Sequence, residues 1–117
     1  MRIAVTSQNF KTITGHAGKS RRFLIYDLEP GGEPLEVERL DLPKDRSLHE
    51  YHGPDHPLYQ RQLTAILTGG AGRPFVERMG REGIEVITTG ETDIAAALKA
   101  LAEGEALPPA APHEHEH

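Results

Sequence analysis

The stretch Thr64-Ala-Ile-Leu-Thr68, Gly69-Gly-Ala-Gly72, Arg73-Pro-Phe-Val-Glu-Arg-Met-Gly-Arg-Glu-Gly83, Ile84-Glu-Val-Ile-Thr88 decides the fold. Thr64 to Thr68 is a short apolar, β-branched run bounded by turn residues, the pattern of a buried strand. Gly69 to Gly72 makes a tight turn. Pro74 suits the first turn of a helix, where its missing N–H has no intrahelical partner to lose. Phe75, Val76 and Met79 supply one apolar face, and Gly83 is a natural C-terminal stop. Ile84 to Thr88 is a further strand. Thr92 can cap a final helix with Asp93 favourable in its first turn, and Ile94, Ala97, Leu98 and Leu101 line its inner side until Gly104. Strand–helix–strand–helix asks for a right-handed parallel crossover.

Upstream the period changes. Arg2 to Thr6 reads as a buried strand, and Ser7 to Lys19 as a long polar loop in which Gly15 and Gly18 flank His16. Arg22 to Leu28 and Leu35 to Leu42 are two more strands joined by the turn Glu29-Pro-Gly-Gly-Glu33, which is of hairpin length. In the second of them the apolar set runs Leu35 and Val37, then Leu40 and Leu42, and that change of phase predicts a bulge or irregular edge. Pro43 to Leu58 is a second long loop, broken by Pro43, Gly53, Pro54 and Pro57. Tyr59 to Leu63 has room for one helical turn. The expected fold is α/β: an antiparallel hairpin and a parallel unit sharing a mixed five-stranded sheet, with helices packed on it. Residues 1–104 form the domain, and residues 105–117 (EALPPAAPHEHEH), with no core-forming pattern, a flexible tail.

Composition narrows the function. With 117 residues there is room for one core. The chain has no cysteine, which excludes disulfides, thiolate zinc sites, a cysteine nucleophile and cysteine-ligated iron–sulfur clusters. Any metal must be held by histidine, carboxylate or backbone. There is no apolar run near the ~20 residues of a bilayer span, and Met1-Arg2 leads straight into a strand rather than a signal peptide, so the expected location is cytoplasmic, without a membrane. The net charge of −5 and 5% aromatic content fit nucleic acid poorly. Charge is unevenly spread: residues 1–22 hold Arg2, Lys11, Lys19, Arg21 and Arg22 and no acid, whereas 27–55 carry nine acids against three bases. The basic segment is either a solvated face or a local anion site.

In their order and spacing, Arg2-Ile-Ala-Val-Thr-Ser7, Gly15-His-Ala-Gly18, Arg22-Phe-Leu-Ile-Tyr-Asp27, Ile66-Leu-Thr-Gly-Gly-Ala-Gly72, Gly83-Ile-Glu-Val-Ile-Thr88 and Glu91-Thr-Asp-Ile-Ala-Ala-Ala97 resemble the dinitrogenase iron–molybdenum cofactor biosynthesis family. The closing strand and helix are similar to those of NifX-type carriers. The resemblance spans residues 1–104. It implies a ribonuclease H-like fold that carries iron–molybdenum cofactor or a precursor iron–sulfur cluster, working with nitrogenase or cofactor-assembly proteins in nitrogen fixation. It also implies that the loop histidine, His16, belongs to the ligand site. The segment before Thr64, too short for a full helix, and the histidine-rich tail depart from the family's pattern.

Several groups of residues are candidates for chemistry. His16 can ligate a transition metal, with Lys19, Arg21 and Arg22 compensating an anionic cluster; the alternative is a loop-packing histidine. His49, His52 and His56, interleaved with Glu50 and Asp55, converge on one metal if their loop folds back, or form a solvated polar loop. His113, His115 and His117 make a weak chelating tail or a solvated one. Gly69, Gly70 and Gly72 form either an anion cradle at a helix start or a plain tight turn, and no Lys-Ser/Thr follows as in a phosphate-binding loop. No catalytic constellation emerges. The first strand has no acid for a two-metal nuclease, Ser7, Thr12 and Ser20 have no triad around them, and Asp27 with Glu29 reads as a solvated pair. The expectation is a non-catalytic carrier of a metal cofactor, with His16 as a ligand and the histidine loop closing over it. A regulatory or scaffold protein without metal, or a hydrolase of phosphorylated small molecules at Gly69–Gly72, are the competing readings.

Overall fold

Arg2–Thr6 becomes β1, the middle strand of one five-stranded sheet, in the computed structural model, which describes residues 1–110. The other strands are β2 (Arg22–Asp27), β3 (Leu35–Asp41), β4 (Ala65–Thr68) and β5 (Glu85–Thr88), in the spatial order β3-β2-β1-β4-β5. β2 pairs antiparallel with β1 and with β3, whereas β4 pairs parallel with β1 and with β5. The hairpin and the parallel unit therefore meet at β1, as expected of this mixed pattern. The predicted irregularity is a bulge: Ile25 faces Glu38 and Tyr26 faces Glu36, so Val37 is the extra residue. It lies on the edge strand, where Leu35 and Val37 are both exposed.

Alternation along the strands divides the core in two. Ala4, Phe23, Ile25 and Ile66 point to one face, against Phe75 and Met79 of helix α1 (Arg73–Arg81). Ile3, Val5, Leu24, Ala65 and Leu67 point to the other, against Ile94, Ala97 and Leu98 of helix α2 (Ile94–Ala102). Each fully buried Val, Leu, Ile, Phe or Met among them contributes roughly 1.5–3 kcal/mol from leaving water. On the α1 face the long connection 43–63 does the work of a missing helix. Its Leu48, Leu58 and Leu63 are buried in the same cluster as Phe23, and its only helical pieces are short 3-10 turns at Lys44–Arg46 and Pro57–Arg61.

Two details differ from the sequence reading. Asp93, not Thr92, caps α2, accepting from the Ala96 N–H at 3.2 Å. Thr92 instead gives its carbonyl to the Ile13 N–H at 2.9 Å, tying the first loop to the helix entrance. The described part of the tail also has something to bury: Leu107 packs on the α2-side core, and the Pro108 carbonyl accepts from Thr89 Oγ1 at 2.7 Å and from the Gly90 N–H at 3.1 Å. His113, His115 and His117 lie outside the described residues. Among those described, no helix is long and apolar enough to cross a membrane.

Candidate functional site

Because β1, β4 and β5 run parallel, the loops that follow them leave the same edge of the sheet. From β1 the chain goes on to β2 on one side; from β4 it goes on to β5 on the other. In open α/β sheets the crevice between two such diverging loops is where ligands bind. Here one wall is the loop carrying His16 and the other is the end of the glycine turn at Gly72 with the residues Pro74 and Phe75 that follow it.

The two loops are held together by backbone. Thr6 Oγ1 lies 2.6 Å from the Thr14 carbonyl and 2.8 Å from Thr68 Oγ1, a buried link across the ends of β1 and β4. The Gly69 N–H donates to the Thr14 carbonyl at 3.0 Å, and the Ala17 N–H to the Gly70 carbonyl at 3.0 Å. The approach is close enough that a Cβ on Gly69 would sit 3.3 Å from the Thr14 carbonyl carbon. This corrects the cradle reading for two residues. The amide of Gly69 is spent on Thr14 and that of Gly70 faces Thr68 Oγ1 at 3.3 Å, so neither points at a ligand. Gly72 stands at the cleft, where its carbonyl accepts from the Val76 N–H to open α1.

His16 has left-handed backbone angles (φ 54°, ψ 56°) and precedes a 3-10 turn, Ala17–Lys19. A side chain in this region costs roughly 1–3 kcal/mol and persists where its surroundings impose it, commonly at ligand sites. The imposition is visible: the His16 carbonyl accepts from the N–H groups of Lys19 and Ser20 at 2.9 and 3.1 Å. The imidazole is presented at the surface, lining a cleft of ≈ 240 Å³ together with Lys19, His49, Gly72 and Phe75.

His49 comes from the long connection. Its N–H donates to the Gly18 carbonyl at 2.6 Å, so the histidine loop is tied directly to the His16 loop. A second hollow of ≈ 290 Å³ shares Gly18, His49, Pro74 and Phe75 with the first and adds His52 and Arg78. The structure thus places His16, His49 and His52 along one groove, the side on which the histidine loop was expected to close.

It does not join His56 to them. His56 is fully buried; its Nε2 donates to the Arg46 carbonyl at 2.7 Å and its Nδ1 accepts from the Leu58 N–H at 3.1 Å. Its ring lies 5.9 Å from that of Tyr51 and 5.6 Å from that of Tyr59. Burial, then Arg78 and the other nearby arginines, push its pKa below the ordinary 6.5 in spite of the bond to Arg46. A neutral ring with both nitrogens engaged is a fastener for the loop, not a ligand. Consistent with this, no group of three His, Asp or Glu able to hold a metal exists among the described residues.

The basic cluster also separates. Lys19 lines the cleft. Arg22 turns away: it pairs with Asp41 at 3.5 Å, donates to the Gln8 carbonyl at 2.9 Å and stacks over Phe10. Arg21 joins the loops through its backbone, accepting from the Leu42 N–H at 2.8 Å, and does not line the cleft. Arg78, which sequence reasoning passed over, is at the groove. Its position three residues after Phe75, on the same face of α1, was the available signal.

A family model described as dinitrogenase iron–molybdenum cofactor matches residues 1–104. Among solved structures, the protein PH0822 superposes with a TM-score of 0.70 at 24% identity, over 90% of this chain and 92% of that one. A Methanocaldococcus jannaschii protein provisionally described as a dinitrogenase gives 0.65 at 15% identity, over 90% of each chain. A Thermotoga protein provisionally described as NifB gives 0.63 at 19% identity, over 97% of each. At these identities the likeness to solved structures shows the fold. No curated protein sequence matches.

Proposed function

We propose, from the premise that this chain belongs to the dinitrogenase iron–molybdenum cofactor family, that it is a non-catalytic carrier of that cofactor or of a precursor metal cluster. The family places the chain in iron–molybdenum-cofactor-related biosynthesis; the carrier role is the reading that this site supports best. The observation behind it is the cleft in which His16, His49 and Lys19 meet at the switch point of the sheet.

A cluster cargo brings most of its own coordination. Two imidazoles on separate loops suit it, because they can ligate or contact it without enclosing it. Lys19 at the rim offsets negative charge on the cargo. Few protein ligands and an open cleft also favour release, which a carrier needs. Nitrogenase or its cofactor-assembly proteins are the corresponding delivery partners, in the cytoplasm.

The test is retention of isolated iron–molybdenum cofactor in anaerobic gel filtration with metal analysis. The variants are His16→Asn, chosen because Asn tolerates left-handed backbone, and a chain with His113, His115 and His117 changed to Gln. Loss in the first with retention in the second supports the cleft. The opposite pattern moves the site to the tail and ends this reading.

A further inference from the structure

Arg78 sits on α1, yet it is bonded to the loop that carries His49 and His52. Its Nη1 donates to the Leu48 carbonyl in a short contact, and its Nη2 donates to the Tyr51 carbonyl at 2.7 Å. The first carbonyl immediately precedes His49 and the second immediately precedes His52. The fork of a guanidinium fits such a pair of acceptors; an ammonium, a point donor on a flexible stem, does not reproduce it. Bonds from a charged donor are stronger than neutral ones.

The loop's other fixings in this stretch are mostly internal: the Glu50 and Tyr51 N–H groups donate to the Ser47 carbonyl at 3.1 and 2.8 Å, Tyr51 Oη donates to Asp55, and Arg46 stacks over the Tyr51 ring. The His49 N–H holds the Gly18 carbonyl, Leu48 is buried in the core, and His56 fastens the far end to Arg46. Between Leu48 and His56 there is no helix or strand, and Gly53 and Pro54 interrupt the backbone. Without Arg78 the segment that presents the two imidazoles keeps its internal bonds and loses the two that tie it to α1.

We infer that Arg78 is a positioning residue for cargo binding, acting through His49: it clamps the Leu48 and Tyr51 carbonyls so that the His49 imidazole faces His16 across the cleft. The inference rests on the carrier reading of that cleft. Arg78 need not touch the cargo. Groups that orient a metal ligand commonly change metal affinity by about 10–100-fold when removed.

Cobalt(II) is the probe, because its visible absorption reports histidine coordination directly. Titrations use the full-length chain with His113, His115 and His117 changed to Gln, so that the tail cannot compete. Arg78→Ala should weaken cobalt(II) binding about tenfold or more and alter the absorption band, and Arg78→Lys should recover only part of it. The decisive comparison is with His49→Ala, which should also weaken binding. If Arg78 acts through His49, the double variant binds no worse than His49→Ala alone. Additive losses would overturn the inference, as would an Arg78→Ala chain that binds and absorbs like its parent. Amide exchange on β1 and β4 checks that the sheet is intact in each variant; a loosened sheet that accounts for the whole loss in Arg78→Ala also overturns it. If the parent takes up no cobalt(II), retention of isolated iron–molybdenum cofactor in anaerobic gel filtration is compared across the same variants with the same expected order. A parent that retains neither probe ends the His16–His49 reading and this inference with it.

Discussion

His56 donates its Nε2 proton to the carbonyl of Arg46, ten residues earlier, at 2.7 Å. The same ring accepts from the Leu58 N–H through Nδ1, so only the neutral tautomer with the proton on Nε2 satisfies both bonds. One imidazole thereby closes the start of the histidine loop against its end, beneath Tyr51 and Tyr59. The loop that presents His49 and His52 is shaped by a third histidine that takes no part in the cleft.

This arrangement gives stability a defined dependence on pH. The folded-state pKa of His56 is lowered, so near its ordinary 6.5 the unfolded chain binds a proton that the folded chain refuses. The contribution of the neutral ring is therefore intact above about 6.5 and is lost as pH falls through the folded value. Asp27 and Glu38, whose pKa values are lowered chiefly by hydrogen bonds from Arg2 and Arg61, act in the same direction, but only below their ordinary 3.8 and 4.5. Melting temperature should thus start to fall below pH 6.5, before the carboxylates contribute. A His56→Gln chain should melt lower at pH 8 and lose less on acidification to pH 5. Parallel curves for parent and variant would remove His56 as the cause.

The fold was legible because the strands and helices carry distinct apolar patterns bounded by turn residues. The short apolar runs in Arg2–Thr6 and Arg22–Asp27 mark strands covered on both sides, and the Phe75/Met79 and Ile94/Ala97/Leu98 faces mark the helices that cover them. Even the slip in phase at Val37 was readable as a bulge. The cleft was legible only in pieces. His16 was marked by flanking glycines and the histidine loop was expected to close over it, but nothing local shows which histidines would reach it, because the join is one backbone bond from His49 to Gly18 and one arginine on α1. His56 was misleading for a related reason. Between Asp55 and Pro57 it reads as polar, and its burial depends on two tyrosines that give no periodic signal.

The join between the cleft walls predicts opposite outcomes for two glycines. A Cβ on Gly69 would press on the backbone of Thr14 and Gly15 at 3.3–3.4 Å, where neither side can rotate away. Gly69→Ala should cost about 1–3 kcal/mol, the usual range for overpacking. At Gly80, within α1, a Cβ meets nothing within 4 Å, and Gly80→Ala should stabilise by about 0.5–1 kcal/mol through helix propensity. Urea denaturation measures both. Equal effects would mean that the loops part freely.

Residues 105–110 should contribute measurably to stability. Leu107 is half-buried on the α2-side core, so Leu107→Ala should cost about 1 kcal/mol, part of the value of a fully buried leucine. Gly90 supplies an independent check: a Cβ there would lie 2.7 Å from the Pro109 carbonyl oxygen. Gly90→Ala must therefore push the segment off Thr89 and should destabilise in the same direction. Thermal melts in which both variants match the parent would show that this segment is dispensable.

The three histidines of the central loop should separate by role, not by rank along one scale. His49 lines both hollows and is anchored to the His16 loop by its backbone, which leaves its side chain to meet cargo. His49→Ala should lower cofactor retention with little change in melting temperature, since an exposed ring holds up nothing in the core. The Nε2 of His52 lies 3.1 Å from the His49 carbonyl, within the same loop and further along the groove; His52→Ala should lower retention less. His56→Gln should do the reverse of His49→Ala, lowering melting temperature first and retention only as far as the loop loosens. Raising the concentration of a stabilising osmolyte strengthens the folded state generally, so it should restore retention to His56→Gln and leave His49→Ala deficient. Anaerobic gel filtration with metal analysis, run beside thermal melts, reads both quantities on the same samples. Retention that simply tracks melting temperature across all three variants would mean that His49 has no contact with cargo, and the groove would lose its assignment.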